Sequence, residues 1–188
     1  MKERMAVMSY FIAISGSPSA VSRSSILVNY LRKESAKQGI PVKEYSVLDF
    51  PADVLIEGRY GHSSIKKLSE EIKEASGIII VSPVYKAAYT GALKALLDIL
   101  PQDSFKNKPV FPLMVGGSPA HLLAIDYSLK PLLAALSAQT ILKGVYLTDQ
   151  YVDKEDFENP IKNEEVLEKI SDQLKQLIDI SQNTKAVL

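Results

Sequence analysis

The stretch Ser15-Gly16-Ser17-Pro18-Ser19-Ala20-Val21-Ser22-Arg23-Ser24-Ser25 follows directly on the apolar run Tyr10-Phe11-Ile12-Ala13-Ile14 and opens a segment of helical spacing over residues 24–37. A strand, a serine-rich turn and a helix in that order set unpaired N–H groups and the positive end of a helix dipole beside several hydroxyls. A phosphate monoester suits that cradle: Ser17, Ser22, Ser24 and Ser25 offer hydroxyls and Arg23 offers charge or a cover. Serines also cap helices and form turns, but the place of these, after the first strand of an α/β pattern, favours the anion reading.

Outward from this point, β-rich apolar runs recur at residues 77–82, 110–115 and 145–148, and residues 41–47 complete a set of five strands. Helical spacing occupies residues 64–75, 91–100, 120–138 and 164–180. The alternation predicts one α/β domain spanning residues 1–188, a doubly wound, three-layer flavodoxin-like fold with a five-stranded parallel sheet in the order 2-1-3-4-5. Ligands of such sheets sit outside the carboxyl ends of the strands, so function belongs in the loops after strands one, three and four. Residues 48–61, with Pro51, Gly58 and Gly61, form a long connection that suits a cofactor lid, a subunit contact or, more simply, an irregular surface loop, and the polar tail after Ser181 reads as frayed.

Composition narrows the chemistry. Lysine plus arginine and aspartate plus glutamate number 22 each, so no net field draws the 188-residue chain to nucleic acid or an anionic membrane. There is no cysteine, which removes disulfides, thiolate zinc and iron–sulfur clusters, suits a reducing cytoplasm, and leaves redox work to an organic cofactor. The opening residues 1–8 lead into an apolar run too short for a signal sequence, and no transmembrane span is expected. His62 and His121 lack partners at ligand spacing, so no metal site is expected, and Glu70, Glu71 and Glu74 alternate with lysines as on a solvated helix face.

The second loop reads Ser82-Pro83-Val84-Tyr85-Lys86-Ala87-Ala88-Tyr89-Thr90-Gly91 and the third Val115-Gly116-Gly117-Ser118-Pro119. A planar ring needs a rigid backbone edge and a flat or apolar face. Pro83 stiffens the chain, Tyr85 offers a platform, Gly91 permits close approach, and Gly116-Gly117 bares the backbone. Gly-x-Gly-x-x-Gly is absent, which disfavours a dinucleotide site in the first loop, and Ser15-Gly16 and Ser82-Pro83 stand where a phosphorelay receiver needs acidic residues.

Together, the first loop, the run Pro83-Val84-Tyr85-Lys86-Ala87-Ala88-Tyr89-Thr90-Gly91-Ala92-Leu93-Lys94-Ala95-Leu96-Leu97-Asp98 and Gly116-Gly117-Ser118 resemble the NADPH-dependent FMN reductase family over most of residues 10–150. The resemblance implies that Ser17, Ser22, Arg23, Ser24 and Ser25 surround the phosphate of FMN. It implies that Pro83, Val84, Tyr85 and Lys86 line the flavin ring and that Gly116, Gly117 and Ser118 meet its far edge. The flavin itself then carries a hydride from NADPH or NADH, and positioning suffices for that step. No basic residue is placed by sequence at a 2′-phosphate, so both reductants stay open.

Residues 120–138 are apolar on nearly every side, which predicts that a further subunit, in a dimer or tetramer, covers the outer face. Pro131 lacks an N–H and clashes with the carbonyl of Tyr127 in a regular helix, so a one-residue π-bulge is expected near Tyr127. The run His121-Leu122-Leu123-Ala124-Ile125-Asp126-Tyr127-Ser128-Leu129-Lys130-Pro131 is similar to that of FMN reductases serving alkanesulfonate monooxygenases. There an inserted tyrosine generates a π-helix at a tetramer interface and is tied to flavin release. On that resemblance Tyr127 gates the flavin without acid–base work, and the partner is a flavin-dependent monooxygenase of organosulfur use. An oxidoreductase that retains FMN and reduces quinones, azo dyes or metal oxyanions, and a flavodoxin-type electron carrier, are the alternatives.

Overall fold

A computed structural model describes residues 9–186, so the reading of residues 1–8 lies outside the described part. Strands β1 (Phe11–Ser15), β2 (Val42–Ser46), β3 (Gly77–Pro83) and β4 (Pro109–Gly116) run parallel in the order β2-β1-β3-β4. The place beyond β4 is filled by two pieces, β5 (Thr140–Ile141) and β6 (Val145–Thr148), both parallel to β4. The five-position flavodoxin-like order 2-1-3-4-5 is therefore present, with a fifth strand broken in two. Pro109 pairs with Thr140 and Leu113 with Val145, so one extra residue enters between the pieces. Gly144 closes the break with φ +81°, at a place where a Cβ would lie 2.7 Å from the Pro112 carbonyl oxygen.

Both faces of the central strands are apolar, as a covered parallel sheet requires. Ile12, Ile14, Ile78, Ile80 and Met114 pack under α3 (Ser63–Glu74), α4 (Gly91–Asp98) and α5 (Lys130–Ala135). Phe11, Ala13, Ile79, Val81, Leu113 and Val115 pack under α1 (Arg23–Lys37) and α6 (Glu164–Ala186). Three layers with two separate cores result. No described helix is long and apolar enough to cross a membrane.

Three readings change. Within the expected loop at residues 48–61 the chain forms a 3-10 turn, Val47–Asp49, and a short helix α2 (Ala52–Ile56) that buries Val54. The expected helix at residues 120–138 is broken into a 3-10 turn (Pro119–His121), a π-helix (Ile125–Leu129) and α5, and the π-helix is the widening expected near Tyr127. The tail does not fray at Ser181: α6 continues to Ala186, with Ser181 buried and its Oγ donating to the Ile178 carbonyl at 2.8 Å.

Candidate functional site

The carboxyl ends of β1, β3, β4 and β6 meet at one edge of the sheet. A cavity of about 250 Å³ there is bordered by Ser17, Ser22, Arg23 and Ser24 from the first loop, and by Pro83, Val84, Tyr85, Gly116 and Gly117. The fold thus brings the three loops together.

The serines divide their work. Ser22 is the N-cap of α1: its Oγ accepts from the Ser25 N–H at 3.1 Å while Ser25 Oγ accepts from the Ser22 N–H at 3.1 Å. Ser25 Oγ also donates to the Ser22 carbonyl at 2.8 Å, so the Ser25 side chain serves the cap and does not border the cavity. Ser17 Oγ accepts from the Ser19 N–H at 3.2 Å, which shapes the loop. Ser24 is fully buried and its Oγ has no hydrogen-bond partner.

Ser24 has company. The buried side-chain oxygens without a partner among the described residues are those of Ser15, Ser24 and Thr148, at the ends of β1 and β6 and the first turn of α1. An orphaned buried hydroxyl costs about 1–3 kcal/mol. Of the three, only Ser24 borders the cavity.

Arg23 reaches across to the segment after β6. Its Nε donates to the carbonyls of Asp149 at 2.9 Å and Val152 at 3.3 Å, and its Nη1 stands 3.6 Å from the Asp149 carboxylate. Asp149 and Lys154 border the same cavity. Neither was expected, because a lone carboxylate and a lysine near a strand end carry no pattern; the position of Asp149 just beyond the fifth strand was the available signal.

At the second loop, Tyr85 and Ala88 close a two-residue hairpin, with the Tyr85 N–H donating to the Ala88 carbonyl at 2.8 Å. Lys86 and Ala87 at its tip have φ 51° and 65°, both in the left-handed region that glycine or asparagine normally fills. The Val84 N–H donates to the Val115 carbonyl at 2.8 Å and locks this loop to the third. Val84, Tyr85, Lys86, Ala87 and His121 border a wider apolar hollow of about 740 Å³. His121, which lacks partners at metal-ligand spacing, thus stands beside the second loop.

A Cβ at Gly91 would meet no protein atom within 4 Å, so the start of α4 is open there. At Gly16 the protein itself comes close, because a Cβ there would lie 2.9 Å from Leu93 Cβ. Thr90 Oγ1 caps α4 by accepting from the Leu93 N–H at 3.0 Å, and donates to the Gly16 carbonyl, tying the first loop to the second. In the third loop a Cβ on Gly116 would lie 2.6 Å from the Tyr146 hydroxyl and 3.1 Å from Val84 Cβ. Ser118 Oγ accepts from the Ala120 N–H at 3.2 Å and its carbonyl accepts from the Tyr146 hydroxyl, so the Ser118 side chain is used as a cap. Burial, with the Asp149 charge, raises the Tyr146 phenol above its ordinary value and keeps it a donor. Among the described residues no group of three or more His, Cys, Asp or Glu is placed to hold a metal ion.

The sequence profile of the NADPH-dependent FMN reductases matches residues 10–153. The chain belongs to that family. The chain is 45% identical over 141 residues to "FMN reductase (NADPH)" of Escherichia coli K12, covering 75% of this chain and 74% of that one. It is 43% identical over 141 residues to the enzyme of the same name from Pseudomonas putida KT2440, covering 75% and 72%. Among solved structures, an NADH:FMN oxidoreductase in its apo form superposes with TM-score 0.78 at 30% identity, covering 90% of this chain and 88% of that one.

This FMN reductase is an oxidoreductase whose flavin is FMN and whose reductant is NAD(P)H. The residues present fit the flavin: unpaired Ser24 and the α1 N-terminus suit a phosphate, and bare Gly116-Gly117 beside Tyr85 suits a flat ring. Tyr127 sits apart from both hollows, in the middle of the π-helix and 80% exposed, with Leu122 and Leu123 also exposed.

Proposed function

We propose that this FMN reductase takes FMN as a releasable substrate and supplies it, reduced, to a flavin-dependent monooxygenase that attacks organosulfur compounds such as alkanesulfonates. The observation that carries the reading is the π-helix Ile125–Leu129, which begins shortly beyond the Gly116-Gly117-Ser118 loop and turns an exposed Tyr127 outward. FMN, when bound, supplies the hydride chemistry between NAD(P)H and itself. The chain's own part is to hold and orient. Ser17, Ser24 and the N–H groups of α1 take the phosphate end with Arg23 beside them; Pro83, Val84, Tyr85 and Lys86 lie along the ring, and Gly116 and Gly117 offer their backbone to its edge. Ser22, Ser25 and Ser118 shape the loops through their caps. Tyr127 and the exposed Leu122 and Leu123 form the contact of a dimer or tetramer, and this contact gates the flavin. The enzyme works in the reducing cytoplasm, which its cysteine-free composition suits.

The test is to purify the protein without added flavin, record its absorbance, and follow NADPH and NADH oxidation with and without free FMN. Flavin-poor protein whose activity saturates with added FMN, and which drives a monooxygenase on alkanesulfonate, is the expected result. Yellow protein that keeps its flavin through desalting and needs a quinone or dye as acceptor overturns the proposal.

A further inference from the structure

Asp149 is an odd neighbour for an anion site. A phosphate monoester carries close to two negative charges at neutral pH. Yet the cavity that suits it is bordered by a carboxylate as well as by Arg23 and Lys154. The carboxylate is not there to neutralise an otherwise loose arginine, because Arg23 is already anchored through Nε on the carbonyls of Asp149 and Val152, at 2.9 and 3.3 Å. That anchoring leaves the two Nη groups as the donors free to meet an anion, and the Asp149 carboxylate stands 3.6 Å from one of them. It also stands 4.0 Å from where a Cβ on Gly117 would be, over the bare backbone of the third loop.

We propose that Asp149 is an affinity-setting residue: its carboxylate competes with the flavin phosphate for the Nη face of Arg23 and so weakens FMN binding selectively at the phosphate end. The backbone carbonyl of Asp149 keeps Arg23 in place whether or not the carboxylate is engaged. The pair is partly exposed, with side-chain exposures of 29% and 45%, so the carboxylate is free to swing into solvent when a stronger anion arrives. Such an arrangement lowers affinity without loosening the ring loops, which is what a flavin that must leave requires; in this respect the inference rests on the proposed release of FMN.

The experiment is a fluorescence titration of the flavin-free protein with FMN and, separately, with riboflavin, which has the same ring and no phosphate. Asp149→Asn keeps the size and the backbone carbonyl, and Asp149→Ala guards against a new amide contact. Both variants are expected to bind FMN about fivefold tighter than the parent at low salt, the scale of one exposed ion pair, with a smaller gain at high salt and riboflavin affinity unchanged. Unchanged or weaker FMN binding overturns the inference, and so does an equal change for both flavins, which would place the effect at the ring or in the loop. If the parent protein keeps FMN through desalting, the release proposal falls by itself, while the ratio of the two flavins in the variants still decides the role of Asp149.

Discussion

Gly116 shows how one hydrogen atom holds the third loop open. With Tyr146 Oη 2.6 Å and Val84 Cβ 3.1 Å from any added Cβ, Gly116→Ala overpacks the loop and is expected to cost about 1–3 kcal/mol in urea unfolding, with FMN affinity falling alongside. Tyr146→Phe removes the nearer obstacle, so the alanine is expected to cost about 1 kcal/mol less on that background; additive losses in the double variant would refute the steric account. A second residue-scale expectation concerns alkali. Burial, with a smaller push from Glu34, raises the Tyr30 phenol to about 12, so the fold favours the neutral form. The stability this contributes is present in full below the unfolded value of about 10 and is lost as pH climbs from there through about 12. Unfolding midpoints compared across that window should drop less in Tyr30→Phe than in the parent. At this scale the meeting of the serine-rich and glycine-rich loops at one edge of the sheet was legible, because serines and glycines in strand-end loops have few other reasons to cluster. The division of labour among the serines was not, since a capping hydroxyl and one left without a partner are the same residue type one helical position apart, as Ser25 and Ser24 are.

At the scale of elements, the five strand positions and the long helices could be read from periodicity, but α2 could not. Its five residues, Ala52–Ile56, are too few to display a helical repeat. Pro131 announced a disturbance in the helix after β4. The π-helix Ile125–Leu129 lies where it was expected, centred on Tyr127, and its last bond runs from the Lys130 N–H back to the Ile125 carbonyl, a span of five residues that widens the turn. The Tyr85–Ala88 hairpin was invisible because its tip is Lys86-Ala87 where asparagine and glycine are usual. A left-handed alanine carries a penalty of about 1 kcal/mol or more, partly offset by the chain entropy that glycine adds when unfolded. Ala87→Gly is therefore expected to leave stability unchanged or raise it by up to about 1 kcal/mol, and Ala87→Val to lower it by more than that. Thermal melts of the two variants give the order directly; equal loss in both would mean the hairpin is not governed by its backbone conformation.

For the whole molecule, the exposed apolar side chains of Leu122, Leu123 and Tyr127 lie on one segment of an otherwise charge-balanced chain. Tyr127→Glu is expected to change the stability of the single chain by no more than about 0.5 kcal/mol, because the side chain is 80% exposed, and yet to shift sedimentation toward smaller species. Retention of the parent's mass by this variant would refute the proposed subunit contact through that segment. The broken fifth strand has a reach of the same order. Its extra residue between Ile141 and Val145 sets the phase in which Val145 and Leu147 turn toward α1 and α6 while Tyr146 turns toward Gly116. The break acts as a frameshift correction placed upstream of the site. Removing one residue there would exchange the two faces of β6, whereas a change of two would keep the phase, so the length of a turn remote from the glycine loop governs whether Tyr146 meets it.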